Sequence, residues 1–144
     1  MTVDLLDAMG QYLVTASASL PSAQRLKLGV NLFLGFLPAE APNSVVLVQQ
    51  YEGQPPTFTM GSGISVLENP RIQLLVRGEP EDYPDAYNWA YALRNALGAI
   101  TSRQTIDGMG ILRVQPAGIP NPLAYDEVKR PRFTMNFQVT MDTP

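Results

Sequence analysis

The most regular pattern in the chain lies near its end, where Phe133, Met135, Phe137, Val139 and Met141 alternate with Arg132, Thr134, Asn136, Gln138 and Thr140. A period of two places the first set on one face of a pleated strand and the second on the other, so one face is apolar and the other wet. A helical period governs Ala86, Trp89, Ala90, Leu93, Leu97 and Ile100, with Pro84 in the first turn after Asp82-Tyr83 and Gly98 marking the end. Its apolar face is expected to meet a sheet. A first helix is predicted over residues 3–19, with Thr2 as N-cap and Asp4 and Asp7 in the first turn. Leu5, Leu6, Met9, Leu13 and Ala16 form its buried stripe, Gln11 and Thr15 lie on its wet side, and Pro21 ends it.

Between the helices, residues 30–37 are rich in Leu and Phe and read as a strand stopped by Pro38. Val45, Val46, Leu47 and Val48 make a β-branched run suited to burial on both sides. A third strand is predicted over 71–78, where Ile72, Leu74 and Val76 face the core and the other face is partly covered. From 52 to 70 the composition turns to Gly, Pro, Ser and Thr, and a long irregular loop is expected. Long loops are usually functional, and Phe58, Met60, Ile64, Val66 and Leu67 within this one suit a partner better than water. Asp107-Gly108 is a hairpin-turn pair leading into a strand over 111–115, and Pro116, Pro120 and Pro122 mark a further loop. The order α, β, β, β, α, β, β, β describes one α+β domain over 1–144, two helices on a mostly antiparallel sheet.

A chain of 144 residues with 45% hydrophobic and 16% charged positions is ordinary globular material, able to bury about 68–70% of its unfolded surface. It has no cysteine and no histidine, which removes thiol catalysis, thiolate zinc sites, the usual neutral-pH base and the commonest metal ligand. Ten basic against thirteen acidic residues give a net charge of −3, a poor match for wrapping nucleic acid. The acids in the first seven residues argue against an export signal, and residues 26–37 are too short and too polar to span a bilayer.

Few motifs carry chemistry. Glu79, Glu81, Asp82 and Asp85 lack the spacing of a calcium loop, and stabilisation of a helix start accounts for them better. Gly61-Ser62-Gly63 lacks the Lys and the following helix of a phosphate loop. A serine nucleophile would need Lys27, Lys129 or a carboxylate as base, and neither lysine lies in a recognisable motif. Lys129, Arg130 and Arg132 form the basic cluster; it could touch a phosphate backbone, but a charged strand edge, or a pair with an acidic neighbour, is the better reading. Tyr87, Tyr91 and Arg94 make a stripe beside the second helix's apolar face, of a composition enriched at interfaces, although tyrosines also cap the rim of a core.

Several segments, in order, resemble the minor capsid and tail terminator family of long-tailed bacteriophages. They are Asn31-Leu32-Phe33 through Gly35-Phe36-Leu37-Pro38, Val45 to Val48 with Tyr51-Glu52-Gly53, and Asn69-Pro70-Arg71-Ile72-Gln73 to Val76-Arg77-Gly78. Tyr83 to Leu97 is similar to that family's central helix, and Asp126 with Arg130-Pro131-Arg132-Phe133 to Asn136-Phe137 is similar to its ending. The resemblance implies a structural, non-enzymatic virion protein at the head–tail junction, assembled in the host cytoplasm with no cofactor, metal or membrane. It would form a homo-oligomeric ring of six on the head-proximal end of the tail tube, stop tube polymerisation, and meet tail tube and neck or head-completion proteins. Genomic DNA would pass its lumen without sequence-specific contact.

Ring closure needs two different surfaces per copy. The expected ones are an assembly loop at about 53–69, with Gln54, Pro55, Pro56, Phe58, Met60 and Ile64, and a body surface with Tyr87, Tyr91, Arg94, Lys129, Arg130 and Arg132. The alternatives are another neck or head-completion adaptor, or a small enzyme, which would need a cleft with perturbed carboxylates.

Overall fold

The computed structural model describes residues 4–58 and 66–142. In chain order they form α1 (Leu5–Ser17), β1 (Leu32–Leu34), β2 (Val45–Phe58), β3 (Val66–Arg77), α2 (Tyr83–Gly98), β4 (Gln104–Ile106), β5 (Met109–Pro116), β6 (Asn121–Pro122) and β7 (Arg132–Asp142). The strands make one sheet in the order β1-β2-β3-β7-β5-β4, with β6 also on β7. All pairings are antiparallel except β1 with β2. This is the α+β class that the patterning predicts, with one parallel pair at its edge.

Alternation along the central strands decides which face the helices cover. Ile72, Leu74 and Val76 of β3 and the five apolar residues of β7 are buried, and they join the α2 stripe Ala86, Trp89, Ala90, Leu93 and Leu97 in one core. Leu5, Met9 and Leu13 of α1 complete it. Two buried-side hydrogen bonds fasten the helical layer: Tyr12 Oη donates to Ala96 O across the helices at 2.8 Å, and Trp89 Nε1 donates to Gln24 O at 3.0 Å. Burial raises the Tyr12 hydroxyl pKa above its ordinary value. α1 packs against both β1 and β4, the two outer strands, so the sheet is curled around it.

The helix starts differ in detail from their reading in the sequence. Asp4, not Thr2, caps α1, its carboxylate accepting from Leu6 N at 2.9 Å; Thr2 lies outside the described residues. Asp82 occupies the N-cap position of α2 but makes no side-chain cap bond. The Asp107-Gly108 pair has φ of 51° and 76°, the left-handed pair of a type I′ turn, and it joins β4 to β5.

Two stretches depart further. The strand expected over 30–37 shrinks to Leu32–Leu34, because the backbone turns through Asn31 before it and through Gly35, at φ 76°, after it. The Asn31 side chain organises that turn, its Oδ1 accepting from Lys27 N and its Nδ2 donating to Arg25 O. The irregular loop expected over 53–69 is instead strand on both flanks, since β2 continues to Phe58 and β3 begins at Val66. Local Gly and Pro preference is overridden by pairing: Gly53 faces Pro70, Gln54 faces Asn69, and β7 supplies partners for Leu67 and Glu68. Register shifts after Tyr51 and after Gln54 absorb the prolines. Within the expected proline loop after Pro116, Asn121 and Pro122 add a short strand to β7. Among the described residues no helix is long and apolar enough to cross a membrane.

Gly78, just after β3, packs against the first turn of α2. A Cβ there would stand 2.5 Å from the Ala86 Cβ and 3.3 Å from Pro131 Cγ, neither of which is the free end of a flexible chain. Gly78→Ala is therefore expected to destabilise the fold by about 1–3 kcal/mol through overpacking, read as a lowered urea midpoint at unchanged slope. A midpoint equal to the parent's would mean that α2 is free to lift off the sheet.

Candidate functional site

The surfaces singled out in the sequence fall in three places. Along α2, Tyr83, Tyr87 and Tyr91 are spaced four apart and so stand above one another on one helix face. Tyr83 stacks on Tyr87 with ring centroids 6.2 Å apart, and Tyr87 leans on Tyr91 at 6.0 Å. Phe133 of β7 meets the first two edge-on, at 5.1 and 5.6 Å. Arg94 continues the row, its guanidinium 5.5 Å from the Tyr91 ring centroid and its Nε donating to Gly118 O at 2.6 Å. Tyr87 closes the core over Phe133, while Tyr83 and Tyr91 remain 40% and 37% exposed. The four-residue spacing was visible in the sequence; the part played by Phe133 depends on the sheet and was not.

The segment beside this row extends it. Arg94 binds Gly118, and Pro122 faces Phe133 in the sheet, so residues 118–123 run along the Tyr83–Arg94 flank of α2. Ile119 and Leu123 on that segment are exposed, as are Tyr125 and Val128 beyond it. Contiguous apolar surface rimmed by polar groups marks interaction sites.

The basic cluster is a built corner rather than a loose charge run. Arg130 Nε bonds Asp126 Oδ2 at 2.7 Å, with both side chains mostly buried, and Arg130 also donates to Asn43 Oδ1 at 3.2 Å. Arg132 donates twice to Ala124 O, and Arg77, directly opposite Arg132 in the sheet, donates to Pro42 O and Asn43 O. Burial, and then the charge of Arg130, lower the Arg77 pKa. Lys129 alone reaches outward, 3.9 Å from the exposed Glu81. Lys129 and Glu81 both have left-handed backbone, at φ 61° and 62°, and Glu81 N donates to Lys129 O. The charged-edge reading thus takes a specific form in which Arg130 is paired within its own chain. Glu79 of the acidic cluster likewise accepts from Asn43 Nδ2 and Ser44 Oγ, tying β2's approach to the start of α2. Among the described residues no three acidic side chains gather to hold a metal.

The third surface is the β2–β3 hairpin. Past Val48, the last residue paired with β1, β2 continues for ten residues without that neighbour. Gln54, Pro55, Pro56 and Phe58 lie on this extension, with their side chains outside what is described; Met60 and Ile64 lie outside the described residues.

Among the described residues these three places hold an aromatic row, a paired charge corner and a strand hairpin. The family profile of the bacteriophage tail terminator protein matches residues 8–143, and the chain belongs to that family. It is a structural, non-enzymatic protein of the phage virion, at the tail and neck, and it assembles into the particle with tail and neck partners. Among solved structures, a chain from the "Virion of native gene transfer agent (GTA) particle" shares the fold, with a TM-score of 0.58, 14% identity, and coverage of 96% of this chain and 95% of that one. No curated protein matches.

The corner titrates. The Arg130 backbone amide, with the Arg130 side chain and the Val128 amide, holds the Asp126 carboxyl below its ordinary value of 3.8. A carboxyl depressed on folding contributes stability that is present above the ordinary value and lost as the pH falls through the folded one. Hydrogen-exchange protection of the Val128 and Arg130 amides is therefore expected to hold from pH 7 to about 5 and to fall below pH 3.8, ahead of the β7 amides. Asp126→Asn should weaken protection there at neutral pH and remove its acid dependence. Equal protection at pH 7 and pH 3 in the parent would sink the assignment.

Proposed function

We propose that this chain is the subunit of a homo-oligomeric ring, of six copies, on the head-proximal end of the tail tube, where it stops tube polymerisation and joins the tail to the neck. The observation that carries this reading is the presence of two unlike surfaces on one small domain. One is the β2–β3 hairpin running beyond β1; the other is the aromatic row of α2 with Arg94 and the 118–123 segment. Identical copies joined head to tail through two different surfaces close into a ring when their rotation allows it. Aromatic residues and Arg are the usual anchors of such contacts. In this assignment Gln54, Pro55, Pro56, Phe58, Met60 and Ile64 form the reaching contact, Tyr87, Tyr91 and Arg94 the receiving one. Lys129 offers charge at the rim, and Arg130 and Arg132 hold the corner in shape. Tail tube protein lies on one side of the ring, a neck or head-completion protein on the other, and genomic DNA passes through the lumen.

Deletion of residues 54–65 should leave a folded domain that no longer forms rings, as judged by circular dichroism together with sedimentation velocity. Rings from that variant would remove the hairpin from the interface. Electron microscopy of particles from the parent phage with this reading frame disrupted is expected to show overlong, unattached tails beside DNA-filled heads. Tails of normal length with leaky heads would instead move the protein to the head side of the neck.

A further inference from the structure

The sheet face away from the helices is charged in the opposite sense to the chain. Side chains on this face stand in rows across the strands. Tyr51, Arg71, Gln138 and Gln115 make one row; Gln49, Gln73 and Asn136 make the next, with Gln73 Nε2 donating to Asn136 Oδ1 at 3.0 Å. Arg113 faces Thr140 on the far side of the first row, and Arg77 faces Arg132 at the other end. Among the described side chains of these strands, Asp142 is the acid on this face, and it is paired with Arg103. The other nearby carboxylate, Asp126, is bonded to Arg130. Arg71, Arg77, Arg113 and Arg132 therefore carry positive charge with no ion pair of their own among the described residues. Meanwhile Asp4, Asp7, Glu79, Glu81, Asp82 and Asp85 all lie at the two helix starts.

Such a face has a particular chemistry. Arg71 and Arg77 are six positions apart, about 20 Å at the usual rise; the row beside Arg71 is amide, while the row beside Arg77 is apolar on β2 and β3, with Leu47 facing Leu75 and Leu75 facing Thr134. Like charges directly opposite in a ladder repel, but the Arg77 and Arg132 guanidinium groups are held by the carbonyls of Pro42, Asn43 and Ala124, so the charge left for a ligand lies chiefly with Arg71 and Arg113. Widely spaced guanidinium groups set among neutral hydrogen-bonding side chains suit a polyanion whose charges repeat and whose sequence is not read, because phosphate contacts position a nucleic acid without specifying its bases. A shallow hollow lined by Tyr51, Arg71, Asn136 and Gln138 lies in the middle of the face.

We infer that this open sheet face contacts the phosphate backbone of duplex DNA, weakly and without sequence preference. The identity of the nucleic acid rests on the ring reading, in which the face would be turned to the lumen; the contact itself is measurable on the isolated protein. The net charge of −3 hides it because six of the thirteen acids lie at the two helix starts and the two beside this face, Asp126 and Asp142, are paired.

The test is the salt dependence of binding to a duplex of arbitrary sequence, by fluorescence anisotropy from low to physiological salt. The comparison is between the parent, Arg71→Gln/Arg113→Gln, and Arg25→Gln/Lys27→Gln, which makes the same charge change away from this face. Each phosphate contact adds about 0.9 to the slope of log affinity on log salt, so the first variant should lose about 1.8 of slope and the second essentially none. No binding by the parent at low salt, equal slopes in parent and first variant, or equal losses in both variants would overturn the inference. It would also be overturned if Arg71→Gln/Arg113→Gln weakened association between copies in sedimentation while leaving DNA binding intact, which would make the face a protein contact. None of these outcomes bears on tail length in the disrupted phage, so the two readings fail separately.

Discussion

A slip of one residue in the pairing of β7 with β3 would turn Phe133, Met135, Phe137, Val139 and Met141 out to water and bring Arg132, Thr134, Asn136, Gln138 and Thr140 into the core, since side chains alternate with a period of two. The pairing is fixed from both sides. β3 meets β7 with Ile72, Leu74 and Val76 in phase with its apolar set, and β5 meets it with Ile111 and Val114 in the same phase despite a register shift between them. Burial of large side chains is worth roughly 1.5–3 kcal/mol each, so five of them in one strand hold a single register against any alternative. The composition of both faces of β7 follows from this constraint.

Covering only one side of the sheet follows from having two helices. α2 lies over β3, β5 and β7, and α1 fills the concave side between the outer strands β1 and β4. No helix remains for the convex side, where the strands carry mostly Gln, Asn, Thr and Arg, with an apolar patch at Val45, Leu47 and Leu75. Acids favour helix starts, where free amides and the dipole stabilise them, and both helices begin with acids. The six acids at the helix starts thus lie where their local element suits them.

Elements whose stability is local could be read from the sequence alone. α2, with Pro84 at its start and six apolar residues in helical phase, needs no tertiary information, nor does β7, nor the Asp107-Gly108 turn. Elements whose stability comes from a neighbour could not. Gly53, Pro55, Pro56 and Pro70 argue against strand, yet β2 and β3 run through them because each has the other, and β7, to pair with. The same holds for the candidate surfaces. The tyrosine spacing was legible, whereas Phe133 beneath it, Asn43 beneath Arg130, and the gathering of Arg71 with Arg113 all require strands distant in sequence to be side by side. Arg130 illustrates the gap: four residues from Asp126, it could have been matched to that acid by spacing, but its mostly buried position in the corner could not.

A subunit that ends a polymer differs from one that extends it in a single geometric respect. Lateral contacts between copies must close on themselves, and the face turned toward the tube must differ from the face turned away, or growth would continue. In the proposed ring, the β2–β3 hairpin on one side and the aromatic row with the 118–123 segment on the flank of α2 would make lateral contacts between unlike surfaces. Arg130, Asp126 and Asn43 brace the corner between β3, β7 and the start of β2, and in a ring such bracing matters more than in a monomer. Closure is set by the angle between the two contact surfaces, and a flexible corner between them would spread that angle over several ring sizes. On this reading the mostly buried Arg130–Asp126 pair acts on specificity of assembly rather than on overall stability, the use for which a buried ion pair is best suited.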